Sequence, residues 1–228
     1  MSNDFFRFQR FMLRQDRCGM KVGTDGTLLG AWAHGGKHIL DVGTGTGLIA
    51  LMMAQRFPDA VVTGVDIDAD ACLQAQENVM ASPFKVNVIH ADVAEMEGSF
   101  DCIVSNPPYF NNSLKCPDEQ RSKARHTSIL GYSKLMQHAY RLLTDNGDLS
   151  LIIPSEGKSL MESEASLQGL FKVREFAVRT TPSKPPRRYM LAFRKHRVEN
   201  VEYAEVVLHD APNVRSAWYY ELTKDFYL

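Results

Sequence analysis

Three stretches of this sequence carry residue types whose spacing suits chemistry. The first is Asp41-Val42-Gly43-Thr44-Gly45-Thr46-Gly47, which leaves a β-branched run and enters a helical pattern starting at about Leu48. Glycines there permit positive φ and let the backbone approach a ligand beside a helix N-terminus. A nucleotide-like ligand is implied, but not through the dinucleotide-binding fingerprint, because Leu48 stands where its third glycine belongs. The second is a pair of acids, Asp66 and Asp92, each at the end of a strand-like run, with Asp66 lying 19 residues after Gly47. A carboxylate at the end of a second strand can accept both hydroxyls of a ribose. One aspartate alone is more often a helix cap, the role expected of Asp68 or Asp70. Three acids at successive strand ends, Asp41, Asp66 and Asp92, are not explained that way. The third stretch is Asn106-Pro107-Pro108-Tyr109, where two prolines stiffen a loop immediately after another strand-like run.

These groups need a scaffold that gathers strand ends, and the sequence supplies one. β-Branched runs at 38–43, 60–66, 85–90, 100–105 and 148–154 alternate with helical patterns, the signature of βαβ units around a parallel sheet. Leu48, Leu51 and Met52 mark one helical face, Cys72, Ala75 and Val79 another, and Leu135, Ala139, Leu142 and Leu143 a third. After Pro154 the runs 172–180 and 189–194, joined by the proline-rich segment 181–188, predict an antiparallel hairpin. Residues 203–209 are expected to add a strand and 214–226 a terminal helix. The fold class expected is α/β, a mostly parallel seven-stranded sheet with a C-terminal antiparallel hairpin and helices on both faces. A single domain is expected, with an N-terminal cap over 1–36, a core over 37–197 and an extension over 198–228.

With 228 residues, 44% hydrophobic and 23% charged, the chain has the composition of a globular protein. No apolar run approaches the ~20 residues that span a bilayer, and the first eleven residues are no apolar signal core, so a cytosolic protein is expected. Cys18, Cys72, Cys102 and Cys116 are widely separated and the histidines are scattered, which argues for reduced packing thiols and against a metal site. The net charge of −1 hides an uneven distribution. Residues 37–109 hold 3 basic and 10 acidic groups, whereas 171–197 hold 9 basic groups against the single acid Glu175.

Asp-x-Gly-x-Gly-x-Gly resembles the loop of S-adenosyl-L-methionine-dependent methyltransferases, and Asn106 to Tyr109 resembles the motif of amino-group methyltransferases acting on adenine, guanine or glutamine amide. The resemblance implies a Rossmann-like class I methyltransferase in which Gly43, Gly45 and Gly47 wrap the methionine part of the cofactor and Asp41 organises the loop. Asp66 would hold the ribose and Asp92 the adenine amine. It also explains Asn-Pro-Pro-Tyr. The lone pair of an aromatic amine is delocalised into its ring, so acceptors at Asn106 and the Pro107 carbonyl are needed to localise it, and Pro108 and Tyr109 complete the catalytic loop. Tyr109 would stack on an unstacked base.

Nearly end to end, the chain resembles the tRNA1(Val) adenine-N6 methyltransferases, in Phe8-Gln9-Arg10-Phe11, Asp16-Arg17-Cys18, Met20 to Gly26, the glycine loop, Asn106 to Tyr109 and Asp225 to Leu228. That resemblance implies tRNA as substrate, with Thr24 and Asp25 closing over the cofactor. Lys115, Arg121, Lys123 and Arg125 in one loop, and Lys184, Arg187 and Arg188 in the hairpin turn, would meet phosphates. Phe5, Phe6, Phe8 and Phe11, with Arg7, Arg10 and Arg14, either cover the sheet or touch RNA, with covering favoured for the phenylalanines. The release-factor glutamine methyltransferases share the motif but carry a helical domain upstream, whereas only 40 residues precede Asp41. The ribosomal guanine enzymes usually have phenylalanine in place of Tyr109. A non-catalytic RNA-binding relative would show a damaged motif, and this one is intact.

Overall fold

The computed structural model describes residues 4–17, 21–107 and 131–228. The chain opens with an antiparallel pair, β1 (Phe5–Arg7) and β2 (Met12–Arg14), followed by α1 (Thr24–Trp32). Strands and helices then alternate as β3 (His38–Val42), α2 (Leu48–Arg56), β4 (Val61–Asp66), α3 (Ala69–Met80), β5 (Asn87–His90) and β6 (Phe100–Ser105). Beyond residue 130 come α4 (Tyr132–Leu142), β7 (Leu143–Pro154), α5 (Lys158–Leu167), β8 (Phe171–Arg179) and β9 (Arg188–Arg194). The chain ends with β10 (Glu202–Val207), the small pair β11 (His209–Ala211) and β12 (Val214–Arg215), and α6 (Ala217–Thr223).

Among the described residues the main sheet has eight strands in the order β10-β8-β9-β7-β6-β3-β4-β5. Only β9 runs against the others, pairing antiparallel with β7 and β8, and this is the expected hairpin. The sheet exceeds the expected seven strands because β10 joins β8 in parallel at the edge. β10 buries a single residue, Val206, so its pattern in the sequence is faint. The terminal helix is shorter than expected because β12 takes up the start of that segment, paired with β11 and with Asn213 at positive φ between them.

Consecutive strand residues divide between two cores, as the period of two demands. Leu40, Ile103, Leu149 and Leu151 face α4 and α5 with Leu135, Met136, Ala139 and Met161. Ile39, Val104, Ile152 and Met190 face α1 and α2 with Leu28, Ile49 and Met53, so helices cover both faces. Each fully buried aliphatic side chain contributes ~2 kcal/mol of transfer free energy. A third cluster holds Phe8, Phe11 and Leu13 against Leu51, Met52 and Phe226, and the two termini are tied where the Gln9 amide donates to the Lys224 carbonyl. Phe8 and Phe11 therefore cover the core, while Phe5 is half exposed. Helix α1 lies close on α2: a Cβ at Gly26 would stand 2.9 Å from Leu48 Cδ2, and one at Gly30 2.8 Å from Met52 Sδ.

The order reverses at β3, with β4 and β5 on one side and β6 and β7 on the other. The loops leaving β3 and β6 diverge there and open a crevice at the carboxyl ends of the strands, where open α/β sheets bind ligands. No helix among the described residues is long and apolar enough to cross a membrane.

Candidate active site

The glycine loop fills one wall of that crevice. Gly43, Gly45 and Gly47 have φ of 73°, 54° and 81°, a region that side chains with Cβ rarely enter. Gly43 and Thr44 N–H groups donate to the Val65 carbonyl at 2.9 and 3.1 Å, which pins the loop to the end of β4. A Cβ built on Gly43 would meet nothing within 4 Å, so the loop backbone is open toward the cavity. Across the crevice the Ser105 hydroxyl donates to the Val42 carbonyl at 2.8 Å, locking the end of β6 to β3 and setting Asn106 opposite the loop.

A cavity of about 300 Å³ lies between them, within the range of small-molecule sites. It brings together six of the residues singled out in the sequence, namely Thr24, Asp25, Gly43, Gly45, Asn106 and Arg188. Lys21, Val22, Thr44, Thr46 and Leu48 complete much of its wall; they lie in or beside the stretches quoted from the sequence but were not named there as site residues. Within it, the Asn106 side-chain oxygen Oδ1 is buried and has no hydrogen-bond partner among the described residues. An unpaired buried acceptor costs ~1–3 kcal/mol, a cost that an N–H donor of a ligand at this wall would relieve.

None of the three strand-end acids lies on the cavity lining, though Asp41 and Asp66 are bonded to it through Thr44 and Gly45. Asp41 is fully buried; its Oδ2 accepts from Thr44 Oγ1 at 2.8 Å and from the Ala50 N–H at 3.1 Å, while Oδ1 has no partner among the described residues. Burial pushes its carboxyl up to about 7. Asp66 accepts the Gly45 N–H at 2.8 Å through Oδ2 and the Asp68 N–H at 3.0 Å through Oδ1, and burial raises its carboxyl as well. Asp92 accepts the Ala94 N–H at 2.9 Å, capping a 3₁₀ turn over Val93–Glu95. Asp68 caps α3 as expected, accepting from the Asp70 and Ala71 N–H groups. A carboxylate offers about four acceptor positions, so the bonds of Asp66 and Asp92 leave capacity for ligand hydroxyls or an amine.

Arg188 departs from its expected place. Its Nε donates to Asp25 Oδ1 at 2.5 Å, closing an ion pair between the start of β9 and the first turn of α1 on the cavity wall. Lys184 and Arg187 remain exposed in the hairpin turn, away from the cavity lining. Pro108, Tyr109, Lys115, Arg121, Lys123 and Arg125 lie outside the described residues. Among those described, no three His, Cys, Asp or Glu side chains form a metal-ligand group, and Cys72 and Cys102 are buried free thiols.

Two positioning residues escaped the sequence reading. Asn78 Nδ2 donates to the carbonyls of Arg14 and Thr46, both at 2.9 Å, while its Oδ1 accepts the Arg14 N–H at 2.8 Å. Gln74 Oε1 accepts the Arg17 N–H at 3.1 Å. Both are buried, and they sit four apart on the inner face of α3; two amides at i and i+4 on an apolar face were the available signal.

Asp41 gives a pH test. Its unfolded value is about 4 and its folded value about 7, so between these the native state holds a proton that the unfolded chain has released. Its favourable contribution is complete below pH ~4 and is lost as pH rises through the folded value. Asp41→Asn removes that proton exchange while keeping an acceptor for Thr44 and Ala50. Between pH 5 and 7 the parent is expected to lose ~2 kcal/mol more unfolding free energy than the variant. Urea denaturation at the two pH values measures this, and equal losses would mean that Asp41 does not change ionisation there.

Fold and site together define a class I methyltransferase that uses S-adenosyl-L-methionine. The glycine loop open at the strand ends, Asp41 and Asp66 bonded to it, and a buried Asn106 acceptor without a partner among the described residues fit that cofactor. The family model described as methyltransferase small domain matches residues 26–181. The fold is similar to that of a predicted O-methyltransferase from Agrobacterium tumefaciens, with TM-score 0.68 and 18% identity over 89% of this chain and 96% of the other. It is also similar to the Thermus thermophilus 16S rRNA N2 G1207 methyltransferase solved with AdoMet and guanosine, with TM-score 0.57 and 21% identity over 86% of this chain and 52% of that one. Among curated relatives, the tRNA1(Val) (adenine(37)-N6)-methyltransferase of Phocaeicola vulgatus is 47% identical over 100% of this chain and 99% of its own length. Those of Bacteroides thetaiotaomicron (100% and 99%) and Histophilus somni (98% and 97%) are 44% and 41% identical. The chain belongs to the tRNA1(Val) (adenine(37)-N6)-methyltransferase family.

Proposed function

We propose that this enzyme methylates the N6 amine of adenine 37 in the anticodon loop of tRNA1(Val), the reaction its relatives are named for. The observation that carries the reading is Asn106 on the wall of the cavity beside the glycine loop, with a buried Oδ1 that has no partner among the described residues. S-adenosyl-L-methionine supplies an electrophilic methyl group when bound. Gly43, Gly45 and Gly47 shape the loop that holds its methionine part, Asp66 takes the ribose hydroxyls and Asp92 the adenine amine, with Thr24 and Asp25 forming the opposite wall. Asn106 Oδ1 accepts one N–H of the target amine and the Pro107 carbonyl accepts the other. These bonds draw the nitrogen toward tetrahedral geometry and direct its lone pair at the methyl. As the N–C bond forms and the methyl–sulfur bond breaks, its electron pair passing to sulfur to leave S-adenosyl-L-homocysteine, positive charge gathers on nitrogen beside two fixed acceptors, and a proton then leaves to solvent. Pro108 stiffens the loop and Tyr109 stacks on the target base, while Lys115, Arg121, Lys123, Arg125, Lys184 and Arg187 meet phosphates.

The test is methyl transfer from labelled S-adenosyl-L-methionine to a tRNA1(Val) transcript, followed by digestion to nucleosides and mass spectrometry. The expected product is N6-methyladenosine at position 37. Label appearing instead in a release factor, or in guanosine, would overturn the assignment of the target.

A further inference from the structure

The β1–β2 hairpin has two unlike faces. Its register sets Phe6 opposite Leu13, and these turn inward, where Leu13 is fully buried and Phe6 packs 4.8 Å from the Phe8 ring. The other register pairs are Phe5 with Arg14 and Arg7 with Met12. These four side chains share the outward face, with Phe5 50% and Met12 40% exposed and both arginines exposed. The neighbouring Arg17 is occupied by Glu77 at 3.1 Å, and Arg10 lies over the Phe84 ring. Neither Arg7 nor Arg14 forms an ion pair with a carboxylate among the described residues. An exposed aromatic ring whose directly opposite cross-strand neighbour, with Cβ atoms about 5 Å apart, is an exposed arginine offers a stacking surface for an unpaired base and a cation for the adjoining phosphate.

The face is also rigidly joined to the active site. The Asn78 amide bridges the Arg14 backbone to Thr46, which lines the cavity. Gln15 Oε1 accepts the Val22 N–H at 2.8 Å, and Val22 lines the cavity too. The hairpin and two stretches of the cavity wall are thus held in one hydrogen-bonded frame. We infer that the outward face of β1–β2 is a second RNA contact, in which Phe5 stacks on an unpaired base flanking the target and Arg7 and Arg14 meet the phosphates beside it. The inference rests on the reading of the substrate as RNA.

The test measures binding of the full chain to an unmodified tRNA1(Val) transcript at several salt concentrations, with methyl transfer assayed in parallel. Phe5→Ala is expected to weaken RNA binding about ten-fold, and Phe5→Tyr, which keeps a stacking ring, to stay near parental. Arg7→Ala with Arg14→Ala should reduce the slope of log affinity against log salt by about 1.5. All variants should keep the parental S-adenosyl-L-methionine affinity and unfolding midpoint, and Arg7→Gln with Arg14→Gln replaces the alanine pair if that midpoint falls. If the parent methylates tRNA yet Phe5→Ala and the arginine pair bind with parental affinity and slope, the hairpin contact is wrong while the function stands. Loss of a dimer at unchanged RNA affinity would make this face a contact between copies and overturn the inference. A parent that neither binds nor methylates tRNA overturns the function itself, and the hairpin contact with it.

Discussion

Replacing Asn106 by alanine is expected to lower kcat at least ~100-fold while leaving cofactor and RNA affinities within a few-fold, the scale of losing one preorganised electrostatic partner. The asymmetry follows from where the charge is. In the ground state the target amine is nearly neutral, and its N–H bonds can be satisfied by water or by the RNA; only as the N–C bond forms does the nitrogen become cationic and its N–H bonds strongly polar. The Oδ1 acceptor is already buried and has no partner among the described residues, so none of their bonds must break before it acts. Its position is held through β6, whose last residue Ser105 is bonded to Val42. Asn106→Asp keeps an oxygen there and should retain more activity than alanine. Buried in the same place, that carboxyl should titrate above the usual carboxylate range, so the residual activity should climb with pH as it ionises. Single-turnover kinetics separate the chemical step from binding. A parental rate in folded Asn106→Ala protein would remove amine activation from the mechanism.

The parts of this site that were legible in the sequence are those where backbone geometry dictates residue type. Positive φ in the loop after β3 leaves glycine as the ready choice, and N–H groups left at strand and helix ends attract aspartate. Helix α1 was not legible as a helix because Gly26 through Trp32 are all buried, so no apolar stripe of period 3.6 stands out against a polar face. Helix α5 has the opposite defect, burying only Met161 and Ala165. The basic segment 171–197 was legible in sign but not in use. Arg174 lies 3.6 Å from the centre of the Trp32 ring and donates to the Trp32 carbonyl, Lys172 pairs with Glu162 and Glu175, Arg179 with Glu205, Arg188 with Asp25 and Arg194 with Asp148. Most of those partners are distant in sequence, so much of a block read as an RNA surface goes to joining elements, and Lys184 and Arg187 stay exposed at the turn.

Asp66→Ala is expected to weaken S-adenosyl-L-methionine binding by ~2–3 kcal/mol, the scale of hydrogen bonds to a charged group. Two effects contribute, and the structure separates them. The carboxylate holds the Gly45 N–H at 2.8 Å and the Asp68 N–H at 3.0 Å, so alanine frees the middle of the glycine loop and leaves its shape to be set again on each binding event. The same carboxylate has acceptor positions left for two ribose hydroxyls, and burial, which raises its pKa, means that its charge is gained only at a cost that a bound ligand must offset. Asp66→Asn divides these contributions. The amide oxygen still accepts the Gly45 N–H and preserves the loop, but the side chain has lost its charge and one of its two acceptors, so it can no longer receive both hydroxyls. If Asp66 acts through the ribose, Asn should lose most of what alanine loses. If it acts through the loop alone, Asn should bind nearly as the parent does, and the direct contact would have to be given up. Calorimetry gives the comparison; unchanged affinity in the alanine variant would remove Asp66 from the cofactor site altogether.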